Sequence, residues 1–240
     1  MQSDSPRLIA IGDVHGCVHA LDLLLDVISP RASDQLVFLG DLIDQGRDSR
    51  DVLDRLLELQ EQCQLTLIRG NHEEMMLAAR ESEAALHYWE NCGGVATLNS
   101  YFFGARLEHI PADHWKLLDE GRDYYETDEF IFTHANYLPD MPMNLQPDYQ
   151  LRWALFDPAH ERPHFSGKPV FVGHTEQLNS EILDLGFAAC IDTACWRHGW
   201  LTAIEVHTRQ IWQASRWGLL RDPDESTHRG QLPQLAGHAE

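Results

Sequence analysis

This sequence is poor in positive charge: 18 lysines and arginines stand against 38 aspartates and glutamates, a formal net charge of −20. A chain so acidic lacks the broad basic face through which proteins hold duplex nucleic acid or an anionic membrane, and neither is expected as a partner. Anionic substrate would have to be drawn in locally, by metal ions. Cysteine is also sparse. Cys17, Cys63, Cys92, Cys190 and Cys195 are odd in number and scattered, without the paired spacing of a zinc site or the density of a disulfide framework. Reduced thiols and a cytoplasmic location are therefore expected. No apolar run approaches the roughly 18 residues of a membrane span, and the polar stretch from Met1 to Arg7 lacks the pattern of a secretory leader. Internal repeats are missing as well, which excludes a solenoid or propeller.

What is present is enough apolar sequence, 43% of 240 residues, for one sizeable core. A single domain over residues 1–220 is expected, with a polar, aperiodic stretch at 221–240 as a flexible tail. Its opening third repeats one unit. Leu8 to Ile11 reads as a buried strand, Gly12-Asp13-Val14-His15-Gly16 as a turn, and Cys17 to Ile28 as an amphipathic helix stopped by Pro30. Leu36 to Leu39, Gly40-Asp41-Leu42-Ile43-Asp44 and a helix over 49–62 follow the same plan. So do Leu65 to Ile68, Gly70-Asn71-His72 and a helix from about Glu73 to Arg80. Such alternation predicts βαβ crossovers and a parallel sheet. Residues 81–129 read as a helical insertion over one side of the site. Beyond them, Phe130 to Thr133, Pro169 to Val172, Ala188 to Ile191, Leu201 to Val206 and Gln210 to Ala214 read as strands of a second sheet facing the first.

The polar residues of these turns sit where strands end, which is where open α/β sheets place their sites. Asp13 and His15 offer a carboxylate and an imidazole to one cation, and Asp41 can bridge it to a second. Asn71, His134 and His174 would complete the second, both histidines again directly following apolar strands. The mixed oxygen and nitrogen set suits manganese, iron or zinc better than calcium. Two such ions about 3.5–4 Å apart acidify a bridging water and hold a phosphoryl oxygen, so that hydroxide attacks phosphorus in line. His72 is then the natural general acid, with Asp44 fixing its ring. Each block alone could be an ordinary glycine turn or a helix cap; five in order, each at a strand end, point to a metal site.

These blocks, with Arg69-Gly70-Asn71-His72-Glu73, Thr133-His134 and Gly173-His174-Thr175, resemble the calcineurin-like metallophosphoesterases, and within them the phosphoprotein phosphatase branch of bacterial and phage lambda type. The resemblance runs from about Arg7 to Ala214. It implies an α/β/β/α sandwich of two facing mixed sheets flanked by helices, two manganese-type ions, and a phosphorylated protein, peptide or small phosphoester as substrate. One departure stands out. The family carries Asp-Arg-Gly after the bridging aspartate, the arginine gripping phosphate, whereas this chain has Asp44-Gln45-Gly46. Gln45 brings no charge, so Arg47, Arg69 and Arg152 are the candidates to replace it, with a rim salt bridge as the alternative role for Arg152. Symmetrical dinucleoside tetraphosphatases share the scaffold but typically replace the aspartate matching Asp44 by alanine and end the third block in aspartate rather than Glu73. The resemblance therefore favours phosphoprotein hydrolysis, with dinucleotide cleavage as the alternative. A binding module without turnover, motivated by Gln45, is disfavoured because the ligand set is intact.

Overall fold

The computed structural model describes residues 5–222; the expected tail lies outside them from residue 223 onward. Strands β1 (Leu8–Ile11), β2 (Gln35–Phe38) and β3 (Gln64–Leu67) run parallel, as the repeated units require. Two late strands, β9 (Trp200–Glu205) and β10 (Ile211–Ser215), add antiparallel to the β1 edge, giving the order β10-β9-β1-β2-β3. This corrects the expectation that every strand of the second half builds the second sheet. β9 pairs with β1 through a register of Ile9 with Glu205 and Ile11 with Ala203, so the end of the chain seals an edge the first units leave open.

The second sheet has the order β4-β5-β6-β8-β7, from β4 (Tyr124–Glu126), β5 (Ile131–Thr133), β6 (Val170–Val172), β7 (Leu183–Asp184) and β8 (Ala188–Cys190). Both sheets are mixed. Side chains alternate along each strand with period two. Ala10, Val37, Phe132, Phe171, Ala189 and Ile204 meet in the layer between the sheets, where the Phe132 and Phe171 rings stack at 5.5 Å. Ile9, Ile11, Leu36 and Phe38 face the other way, against α1 (Val18–Ile28) and α2 (Ser49–Gln60). Ile131, Val170 and Val172 face outward under Tyr137, Met143 and Phe156 and under Leu151 of α7 (Asp148–Arg152).

Helix α3 (Asn71–Ala78) begins two residues earlier than its apolar pattern suggests, because the Glu73 carboxylate accepts the Gly70 N–H at 2.8 Å and starts the helix there. The insertion comprises α4 (Glu83–Trp89), a π-helical turn at Glu90–Gly94, α5 (Val95–Tyr101), a 3₁₀ turn at Leu107–His109 and α6 (Ala112–Asp119). It is shorter than expected, since β4 already belongs to the second sheet. At the opposite end of the sheet from the glycine turns, buried Asp34 joins β1 to β2. It accepts the Arg7 N–H at 3.1 Å, the Arg7 Nε–H at 3.0 Å and the Arg31 N–H at 2.9 Å.

Candidate metal centre

The loops after β1, β2 and β3, and those after β5 and β6, converge at one end of the sandwich. Their backbones are held in an uncommon shape: among the described residues, His15, Asp41, Asp44, Gln45 and His174 all have positive φ. Such conformations cost about 1–3 kcal/mol each and persist only where their surroundings enforce them. Here the Asp41 carbonyl accepts both the Val14 and His15 N–H groups, at 3.0 and 2.8 Å. Gly40 at φ 102 is a necessity, because a Cβ there would lie 2.7 Å from the Gly70 nitrogen and 2.8 Å from His134 Nδ1.

Asp41 is the hub. Its Oδ2 lies 3.5 Å from His15 Nε2 and 4.0 Å from His72 Nε2, and its Oδ1 lies 3.4 Å from His134 Nε2. Asn71 Oδ1 is 3.0 Å from both His134 Nε2 and His174 Nδ1. Two groups able to hold a metal ion result, His15-Asp41-His72 and Asp41-His134-His174, sharing Asp41, with donor atoms of each within 4.8 Å of one another. Asp13 completes the surroundings: its Oδ2 accepts the His174 N–H at 2.9 Å, while its buried Oδ1 has no hydrogen-bond partner. An orphaned carboxylate oxygen in this company fits a cation.

The histidines divide by what their second nitrogen does. His15 Nδ1 sits 2.9 Å from the Ile43 carbonyl, His134 Nδ1 2.7 Å from the Leu39 carbonyl and His174 Nε2 3.2 Å from the Trp153 carbonyl. A carbonyl only accepts, so these nitrogens carry the hydrogen and the opposite ones present lone pairs to the cluster, the arrangement of a metal ligand. Burial lowers all three from their ordinary pKa, His134 to about 4, and keeps them neutral. His72 goes the other way. Burial opposes its charge, but the Asp41 carboxylate and then the hydrogen bond to Asp44, Nδ1 to Oδ2 at 2.7 Å, lift it to about 9. A cationic ring is a proton donor and a poor ligand, so His72 differs from its neighbours although it lies within ligand distance.

The four residues considered for phosphate have different occupations. Gln45 Nε2 donates to the Cys92 carbonyl at 2.9 Å, and Arg69 Nη2 donates to the Asp119 carbonyl at 2.9 Å. Arg152 is buried and engaged by Glu74 at 2.9 Å, Asp123 at 2.8 Å and Asp148 at 3.0 Å. Three carboxylates surround its guanidinium, the arrangement of the salt-bridge alternative. Arg47 is exposed, directly after Gly46, whose N–H donates to the His15 carbonyl at 3.1 Å.

Several residues that matter were given no place in the site by sequence. Glu73 accepts the N–H groups of Asp41, Leu42 and Gly70, each at 2.8 Å, and so clamps two site loops together. Asp192 is buried with Oδ2 unpartnered, and burial and then the Glu176 charge raise it to about 7. It follows the apolar run Ala188 to Ile191, the same cue that marks the ligands. Trp89 and Thr97 contact Asp44 from the insertion, where no local pattern marks them.

Among known proteins, the family model described as calcineurin-like phosphoesterase matches residues 6–176. Serine/threonine-protein phosphatase 1 of Salmonella typhimurium is 30% identical over 82% of this chain and 90% of its own length. A symmetrical bis(5'-nucleosyl)-tetraphosphatase of Nitrosomonas europaea is 31% identical over 55% of this chain and 45% of that protein. A crystal structure provisionally named a diadenosine tetraphosphatase superposes with a TM-score of 0.66 at 21% identity, covering 89% of this chain and 95% of that one.

Proposed function

Because this chain belongs to the calcineurin-like phosphoesterase family and is a phosphoester hydrolase, we propose that it removes phosphate from phosphorylated serine or threonine side chains, with two divalent ions as cofactors. Asp13, His15 and Asp41 would hold one ion; Asp41, Asn71, His134 and His174 would hold the other. Their mixed oxygen and nitrogen donor set suits manganese, iron or zinc better than calcium, and the family resemblance points to manganese among these. Bound there, the ions supply Lewis-acid polarisation of the phosphoryl oxygens and an acidified water as nucleophile. The chain's own part is positioning and the proton. His72 Nε2–H gives its proton to the leaving oxygen as the P–O bond breaks and the electron pair stays on oxygen, and the ring recovers a proton from solvent. Arg47, exposed directly after Gly46, is the candidate cation for the phosphate.

The observation that carries this reading is the His72–Asp44 pair, 2.7 Å long and beside the ligand cluster. A phosphoseryl oxygen is a poor leaving group and needs an acid held ready. Dinucleoside tetraphosphate cleavage is the second reading, favoured by the relative of that name. The five free cysteines accord with a reducing compartment such as the cytoplasm. Among the described residues no helix is long and apolar enough to cross a membrane.

A side-by-side assay on phosphoserine, phosphothreonine and phosphotyrosine peptides and on diadenosine tetraphosphate tests the assignment. Highest kcat/KM on the first two is expected, and preference for the dinucleotide would overturn it. On the preferred substrate Arg47→Ala raises KM about tenfold with metal content unchanged.

A further inference from the structure

We propose that the helical insertion is a bracket for the catalytic proton: Trp89 and Thr97 are positioning residues that fix the Asp44 carboxylate and, through it, the ring of His72. The inference rests on the reading of His72 as general acid.

Asp44 is fully buried, and donors from the insertion reach both of its oxygens. Trp89 Nε1 donates to Oδ2 at 2.8 Å, and the Thr97 hydroxyl donates to Oδ1 at 2.6 Å. An indole N–H can only donate. Thr97 Oγ1 already accepts the Asp44 N–H at 2.9 Å, so its own hydrogen is directed at the carboxylate. Ser49 Oγ, 3.1 Å from Thr97 Oγ1 and from the Asp44 nitrogen, completes the shell. Surrounded by donors, the Asp44 carboxylate accepts, and its contact with His72 is made by an Nδ1–H. Nε2 is thereby turned toward the metal ligands, 4.0 Å from Asp41 Oδ2.

The insertion is shaped to hold these two side chains. A Cβ on Gly94 would lie 2.4 Å from Trp89 Cδ2, so only glycine lets the indole lie against the π-helical turn. The neighbouring carbonyl of Cys92 is tied to Gln45, one residue past Asp44. At the far end of α5, Tyr101 OH lies 2.7 Å from His114 Nδ1, and His114 Nε2 lies 2.9 Å from Asp54 of α2. Both ends of the segment are thus anchored around the carboxylate. In this account Gln45 has exchanged a substrate contact for a hold on the bracket.

The test compares phenyl phosphate, whose leaving group needs an acid, with 2,4-dinitrophenyl phosphate, whose leaving group does not. Trp89→Phe keeps the ring and loses the N–H; Thr97→Val loses the hydroxyl; Thr97→Ser restores it. For Trp89→Phe and for Thr97→Val, kcat on phenyl phosphate is expected to fall about tenfold, with KM, metal per chain and dinitrophenyl phosphate turnover little changed. Thr97→Ser is expected to recover the loss, and neither change should slow the enzyme further in a His72→Asn background. Equal losses on both esters, losses confined to KM or metal content, full phenyl phosphate activity, or additive losses over His72→Asn would overturn the bracket. If His72→Asn alone slows both esters equally, the acid reading fails with it. If His72→Asn is selective and the bracket variants are not, only the bracket fails. Should Trp89→Phe not fold, the Thr97 pair makes the same comparison.

Discussion

The four histidines of the candidate centre fall into two groups by the partner of one ring nitrogen. His15, His134 and His174 each give a hydrogen to a backbone carbonyl, and burial lowers their pKa; His72 gives its hydrogen to a carboxylate, and Asp41 and then Asp44 raise its pKa. A less conspicuous residue, Asp34, illustrates the same electrostatics without any metal. Burial alone would raise its pKa, but hydrogen bonds from Arg7 and then Arg31 outweigh burial and hold it well below the usual carboxylate range. A depressed folded pKa contributes stability that is complete above the unfolded value, about 4, and is lost as pH falls toward the folded one. Asp34→Asn is therefore expected to cost about 2 kcal/mol at neutral pH and to flatten the decline of stability below about pH 4. Urea unfolding across that range measures both; equal stability of the two proteins at neutral pH would contradict it. At this scale the sequence was most legible where a polar residue directly follows an apolar run, as Asp13, Asp41, His134 and His174 do. Arg152 was not legible, because its three carboxylate partners come from residues 74, 123 and 148, which only the fold brings together.

Helix α3 carries more than its length suggests. Its first two residues, Asn71 and His72, belong to the site, and its third, Glu73, receives backbone N–H groups from the loops after β2 and β3. A buried carboxylate accepting three N–H groups cannot be replaced by an amide, which would turn N–H toward N–H. Glu73→Gln is expected to destabilise the fold by about 2–3 kcal/mol and to weaken metal retention, both read from unfolding curves with and without added Mn²⁺. A variant as stable as the parent would refute the clamp. The first three strands and their helices follow from periodicity, since each buries one face and needs no distant partner to be recognised. β4 and β7 escaped that reading because three or two residues are too short to establish alternation. The placement of β9 and β10 beside β1 escaped it because pairing is set by which edge remains open, a property of the assembled sheet.

As a whole, the molecule is two sheets closed on a shared apolar layer, with candidate ligands delivered to one end by strands of both. β1 and β2 bring Asp13, His15 and Asp41, and β5 and β6 bring His134 and His174, so the centre exists only when the sandwich is closed. A chain with a net charge of −20 has few cations with which to draw in phosphate over its surface. Asp41 is proposed to join two metal ions into one hydrolytic centre. Elemental analysis of metal per chain, made on the same samples as turnover of p-nitrophenyl phosphate, tests it in the parent and in Asp41→Asn. The account predicts about two ions per active parent chain and fewer than one, with turnover lost by a factor of at least about 100, in Asp41→Asn. Full turnover from Asp41→Asn, or from parent protein holding less than one ion per chain, would contradict it.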